Sequence, residues 1–268
     1  MVPKWTAKRA GFARLPPKCA GYLVGLSRGA VMRFLKLMCL IAGLMPTVAF
    51  AEAPKQRKIK DAVPGEASVG RLMVNGNAMC TGALVSPDLV LTAAHCLYDP
   101  NSGRRVAPDV IEFQAGLRNG KASAVRRVKS TMQHPEYRHV RKGTAQVGHD
   151  LALLRLTRPI DSNAVLPMAQ DVRLGSGDML GVLSYTIGNR NDPVLEYPCR
   201  VLATQHQTLV MSCDVDFGAS GAPVLALTNG KNPSLVSVVS ARAAMGGRTV
   251  SVGTTLTAEA LQQMMRGG

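Results

Sequence analysis

Leu89-Val90-Leu91-Thr92-Ala93-Ala94-His95-Cys96 is the stretch from which the rest of the chain can be read. Three branched aliphatics and a threonine in a row make a short buried strand, which ends on small residues and leaves an imidazole beside a thiol. Further β-type runs at 70–74, 82–85, 110–115, 151–156, 180–186, 208–213, 224–226, 235–240 and 249–254 alternate with turn residues. Many short strands at this spacing predict an all-β barrel or sandwich. A helix is predicted only in the last segment, where Thr257 can cap, Glu259 sits near the positive end of the dipole, and Leu261, Met264 and Met265 form an apolar stripe.

The 268 residues are 46% hydrophobic and 18% charged, which excludes a disordered polyelectrolyte and suits one two-lobed domain or two small ones. The net charge of +15 is unevenly spread. Eight of the 32 Lys and Arg and none of the 17 acids fall in residues 1–51, so residues 52–268 carry 24 bases against 17 acids, or +7. From Met32 the text MRFLKLMCLIAGLMPTVAFAEA has a short basic start, an uncharged run and Ala49-Phe50-Ala51, a small-x-small step. Residues 32–51 read as a secretory signal cleaved after Ala51, within a targeting region 1–51 whose translation is expected to begin at Met32. The run is too short, and interrupted by Pro46, for a membrane anchor. Residues 52–65 are rich in Lys and Pro and read as a mobile leader or propeptide. An N-terminal lobe is assigned to 66–160 and a C-terminal lobe with the helix to 161–268, with a connector over 159–171.

Removing the leader leaves Cys80, Cys96, Cys199 and Cys213 in a chain bound for an oxidising compartment, so two disulfides are expected. The spacings contain no Cys-x-x-Cys knuckle, and no metal is expected. A disulfide from Cys96 back to Cys80 would fix the loop carrying His95.

Three motifs carry chemistry. The first is Thr92-Ala93-Ala94-His95-Cys96. The second, His149-Asp150-Leu151-Ala152-Leu153-Leu154, sets a carboxylate at the head of an apolar strand, where burial is costly unless a donor such as an imidazole N–H meets it. The third, Gly218-Ala219-Ser220-Gly221-Ala222-Pro223, presents a serine in a glycine-flanked turn whose N–H groups can converge on an oxyanion. Singly each is weak. Jointly they supply a nucleophile, the base that takes its proton and the group that orients the base. His149 is set aside as the base because neighbours in a strand point to opposite faces. His134 sits in a loop motif, and His139 and His206 read as surface residues.

On Cys80-Thr81-Gly82-Ala83-Leu84-Val85 through His95-Cys96, Asp150-Leu151-Ala152-Leu153-Leu154 and Gly218 through Pro223, the chain resembles the chymotrypsin-like (trypsin-like) serine peptidases. Among these it is most similar to compact secreted bacterial members related to glutamyl endopeptidases. The resemblance runs from about Ser68 to the C-terminus. It implies two packed antiparallel β-barrels with a C-terminal helix, His95 and Asp150 from the first barrel and Ser220 from the second. It further implies an oxyanion hole formed by the N–H groups of Gly218 and Ser220, and a Cys199–Cys213 disulfide beside the nucleophile loop. The expected activity is that of a secreted or periplasmic serine endopeptidase acting on polypeptides through an acyl-enzyme, without metal or cofactor. The alternative is a catalytically silent relative serving as a binding protein or adhesin.

Departures from the family pattern touch activation and specificity. Animal members carry an acid before the nucleophile that pairs with a newly freed N-terminus; Ala219 stands here, so activation by that ion pair is not expected. Asp214, six before Ser220, matches the floor of the primary pocket and would favour cleavage after Arg or Lys, with Asp216 a second candidate. Val239-Ser240-Ala241-Arg242 matches the pocket wall, so Ser240 and Arg242 are candidate substrate-binding residues, Arg242 either narrowing the pocket or attracting an acid. The seven bases of residues 121–142, with Lys121 and Lys142 at its ends, read as a solvated loop or as a weak anionic-surface patch. No aromatic interleaving points to nucleic acid. A monomer is expected.

Overall fold

The computed structural model describes residues 55–58, 65–76, 78–140, 146–160, 174–227 and 233–266. The first strand, β1 (Lys55–Lys58), precedes two six-stranded antiparallel barrels. In the first barrel β2 (Val69–Val74), β3 (Ala78–Ser86), β4 (Leu89–Thr92), β5 (Ile111–Ala115), β6 (Ala124–Gln133) and β7 (Ala152–Leu156) close in the order β2-β3-β4-β7-β6-β5. The second holds β8 (Met179–Thr186), β9 (Asn189–Gln205), β10 (Thr208–Met211), β11 (Pro223–Ala226), β12 (Ser234–Met245) and β13 (Arg248–Thr255). Its order is β9-β10-β13-β12-β11-β8, and β8 pairs back onto β9 to close the ring. Closure leaves few open edges.

The alternating pattern fills each barrel. Val69, Leu72, Leu84, Val90, Leu91, Phe113, Leu153 and Leu154 pack the first, and Leu180, Val182, Val201, Leu209, Met211, Val224 and Val239 the second, all buried. The first core continues into Leu183, Tyr185, Leu225, Leu235 and Val238 of the second barrel, so the two share an apolar layer. Tyr185 crosses it: its ring is fully buried, burial raises its phenol above the usual range, and its hydroxyl donates to Leu117 O at 2.9 Å. The helix α1 (Ala258–Arg266) starts where the sequence places it, with Thr257 Oγ1 accepting the Ala260 N–H at 3.1 Å. Of the predicted stripe, Met264 is buried and Leu261 packs half-buried against the core, whereas Met265 does not. Ala260 and Met264, one turn apart, are the buried pair, while Met265 is 52% exposed.

Three strands were not read from the sequence. β6 lies within the basic run 121–142 and buries only Val128 and Met132 of its ten residues, so its text looks like a charged loop. β9 carries Pro193 and Pro198, which argue against a central strand. β1 falls in the stretch read as a mobile leader, yet it pairs antiparallel with β9, Lys55 opposite Tyr197 and Lys58 opposite Val194. Its composition, Lys-Gln-Arg-Lys, suits a strand at a sheet edge. The targeting region 1–51 and most of the connector 159–171 lie outside the described residues.

The helix gives a contrast to measure. Met264→Ala should lower unfolding free energy by about 2–5 kcal/mol, and Met265→Ala by less than about 0.5 kcal/mol, in urea titrations of the two variants.

Candidate active site

The pairing of β4 with β7, Thr92 opposite Ala152, sends the loop after one and the loop before the other out at the same barrel end. His95 sits there in a 3-10 turn, Ala94–Leu97, and Asp150 directly follows a second, Val147–His149. The Cys80–Cys96 disulfide, S–S 2.01 Å, ties the His95 turn to β3. Asp150 Oδ2 is 2.7 Å from His95 Nδ1, and Asp150 Oδ1 accepts the His95 backbone N–H at 2.8 Å. A third donor comes from the other barrel, the Ser240 hydroxyl, also to Oδ2. The carboxylate is 5% exposed and the imidazole 30%.

Burial alone would raise the Asp150 carboxyl. The charge of His95, the hydrogen bonds from its ring and from Ser240, and its backbone N–H together hold it below the usual carboxylate range. Burial likewise pulls His95 down, but the Asp150 charge and hydrogen bond outweigh it and leave the imidazole above its ordinary value. Because Nδ1 is engaged by the carboxylate, Nε2 is the ring nitrogen left for another partner.

Ser220 stands in the tight loop between Cys213 and β11. The Cys199–Cys213 disulfide, S–S 2.04 Å, anchors the entry to this loop on β9. Ala219 N–H donates to Asp216 O at 3.1 Å and Ala222 N–H to Ala219 O at 2.9 Å, winding the chain around the serine. Gly218 has φ 99°, and a Cβ there would lie 2.4 Å from Met79 Cε and 2.9 Å from Tyr185 O. Gly221, with φ 78°, is tighter still, its Cβ position being 2.0 Å from Thr92 Oγ1 and 2.4 Å from Thr81 O. Phe217 O accepts the Ile187 N–H at 2.8 Å, and in a trans peptide this turns the Gly218 N–H to the opposite side.

His95, Asp150, Gly218, Ser220 and Ser240 line one cleft of about 490 Å³ between the barrels. Met79, Tyr98, Tyr137, Val140, Ile187 and Phe217 make its walls largely apolar. The Ser220 hydroxyl makes no hydrogen bond among the described residues.

The other substrate-binding candidates separate from this group. Asp214 and Arg242 do not line the cleft; they pair with each other, Nη2 to Oδ1 2.7 Å, with side chains 54% and 42% exposed. In this structure the Asp214 carboxylate therefore already has a guanidinium partner. Arg242 is likewise committed to Asp214. Asp216 is exposed and accepts the N–H of Phe217 at 2.7 Å. Ser240 does reach the cleft, but its hydroxyl is given to Asp150.

The rival histidines have other occupations. His149 Nε2 lies 3.0 Å from Glu136 Oε2 and its ring stacks on His134 with centroids 4.8 Å apart; its neighbourhood is a 3-10 turn, not the strand geometry used to set it aside. His134 is buried, and burial together with His149 lowers its imidazole. His139, read as a surface residue, instead stacks on Tyr98 at 4.1 Å and lines the cleft. His206 is exposed. Thr81, also unread, has its role only in the hydrogen bonds it makes across the barrels. Among the described residues, two clusters bring metal-ligand atoms within 4.8 Å, Cys80 with His95 and Cys96, and Glu196 with Cys199 and Cys213. In each the two sulfurs are joined as a disulfide, leaving no thiolate for an ion.

A trypsin-like protease of Streptomyces glaucescens is 32% identical over 155 residues, 58% of this chain and 48% of that protein. Human granzyme M is 35% identical over 100 residues, 37% of this chain and 35% of that protein. The chain thus spans about half or less of the length of these curated relatives. Among solved structures, a Glu endopeptidase in complex with MPD superposes with a TM-score of 0.66 at 19% identity, covering 82% of this chain and 99% of that one. The thermostable serine protease AL20 from an extremophilic microorganism gives 0.58 at 19% identity, covering 76% and 98%. These two likenesses establish the fold. The sequence profile of the Trypsin family matches residues 58–259, which is most of the chain, and the protein therefore belongs to the trypsin family, as a chymotrypsin-like member.

Proposed function

We propose that the protein is a serine endopeptidase that hydrolyses polypeptides through an acyl-enzyme, with Ser220 as nucleophile, His95 as general base and acid, and Asp150 as the group that orients and stabilises the imidazole. The observation that carries this reading is the buried Asp150 carboxylate holding His95 Nδ1 at 2.7 Å, in a cleft that Ser220 also lines. Ser220 Oγ attacks the scissile carbonyl while His95 Nε2 takes its proton and later returns it to the leaving amine. The N–H groups of Gly218 and Ser220 receive the oxyanion. Ser240 holds Asp150 from the second barrel, a positioning role in place of direct substrate contact. Two disulfides and the signal-like text of residues 32–51 support export to an oxidising compartment.

Labelling with a fluorophosphonate tests the reading directly. The wild-type protein should be labelled on Ser220, and Ser220→Ala and His95→Ala should abolish or nearly abolish labelling. A folded, processed wild type that stays unlabelled would overturn the proposal and leave a silent binding protein as the reading.

Because Asp150 raises His95, the neutral, proton-accepting imidazole is lost at higher pH than for a free histidine. Labelling should fall as pH drops, with a midpoint above the ordinary histidine value of 6.5. Asp150→Asn should shift that midpoint downward and cut the rate by about 10⁴-fold, read from labelling rates across a pH series.

Gly221→Ala places a methyl group against Thr92 and the Thr81 carbonyl at a left-handed position. It should cost about 3 kcal/mol or more of stability, measured by chemical denaturation.

A further inference from the structure

Thr81 is buried at the inter-barrel face of β3, and every polar atom it owns is engaged. Its N–H donates to Ser220 O at 2.8 Å, and its carbonyl accepts the Thr92 hydroxyl at 2.8 Å. Its own Oγ1 accepts the Tyr185 N–H at 3.0 Å and lies 2.9 Å from Gly218 O and 3.3 Å from Tyr185 O. One hydroxyl proton serves the nearer acceptor first, so the side chain donates to Gly218 O.

Every carbonyl from Phe217 to Ser220 is thereby taken: Phe217 O by Ile187 N–H, Gly218 O by Thr81 Oγ1, Ala219 O by Ala222 N–H and Ser220 O by Thr81 N–H. Peptide planarity makes each of these bonds an orientation. Fixing Phe217 O aims the Gly218 N–H, and fixing Ala219 O aims the Ser220 N–H. The peptide between those two donors is held at its N–H by Asp216 O, at 3.1 Å, and at its carbonyl by the threonine hydroxyl, the one of these two bonds that comes from outside the loop. It follows Gly218, the loop residue with the least steric restraint on its backbone. The residue before the nucleophile is Ala219, whose buried methyl offers no polar anchor. Among the described residues, only Thr81 gives the Gly218 carbonyl a partner, and it does so from the opposite barrel.

We infer that the Thr81 hydroxyl is a positioning residue for the oxyanion hole, holding the Gly218 peptide so that both hole donors converge, and that it does this without a freed N-terminus. The inference rests on the peptidase reading above. Thr81→Val keeps the shape and removes the hydroxyl, whereas Thr81→Ser keeps the hydroxyl. With the fluorophosphonate as probe, the maximal inactivation rate of Thr81→Val should fall about 10- to 100-fold, approaching the loss of one oxyanion donor, with the half-saturating probe concentration changed less than about threefold. Thr81→Ser should return the rate to within about threefold of wild type. A purely structural role would lower the melting temperature without this split and without rescue by serine. If the valine variant does not fold, Thr81→Ala and Thr81→Ser are compared at equal folded fraction. A wild type that labels, with a hydroxyl-free variant labelling at the same maximal rate, overturns this inference and leaves the peptidase reading intact; an unlabelled wild type overturns both.

Discussion

A carboxylate almost wholly removed from water dictates much of this architecture. Asp150 sits at the seam of two barrels, where an unpaired charge would cost several kcal/mol. Three donors meet it: the His95 ring, the His95 backbone N–H and the Ser240 hydroxyl. Two come from the first barrel and one from the second, so satisfying the charge and docking the barrels are one problem. The solution leaves His95 with its Nε2 uncommitted to the carboxylate and a fixed ring plane, the state a general base requires.

The opposing wall is built by a complementary device. Around Ser220 the chain has few side chains capable of holding it, since Gly218, Ala219, Gly221 and Ala222 carry none or a methyl. Its shape is held by backbone carbonyls, each capped by a donor from β3, from the end of β8 or from the turn itself. The small residues are needed because the neighbouring barrel approaches so closely, and the donors are needed because small residues alone do not fix a conformation.

Strands whose residues alternate or run apolar could be read from the text. β4 was found to the residue, and β2, β5, β8 and β13 to within one or two. β6 and β9 could not, because a strand on a barrel wall that faces mainly solvent, or carries prolines, loses the pattern by which strands are recognised. Of the site residues expected from the sequence, His95, Asp150 and Ser220 line one cleft, and the flanking text of each motif is what drew attention to them. Asp214 and Arg242 show what spacing leaves out: it identifies a carboxylate and a guanidinium near the pocket loops, but only coordinates reveal that they pair with each other. Thr81 was invisible as chemistry, since nothing in Cys80-Thr81-Gly82 distinguishes a bridging hydroxyl from an ordinary strand residue.

The Cys80–Cys96 cross-link has neighbours on both sides that belong to different halves of the machinery. Cys80 adjoins Thr81, which grips the nucleophile loop, and Cys96 adjoins His95. One covalent bond therefore registers the strand that holds the Ser220 loop against the turn that carries the His95 imidazole. Reducing it would free the His95 turn from the strand that grips the Ser220 loop, so in a thiol-rich solution the two sides of the cleft would lose their covalent tie.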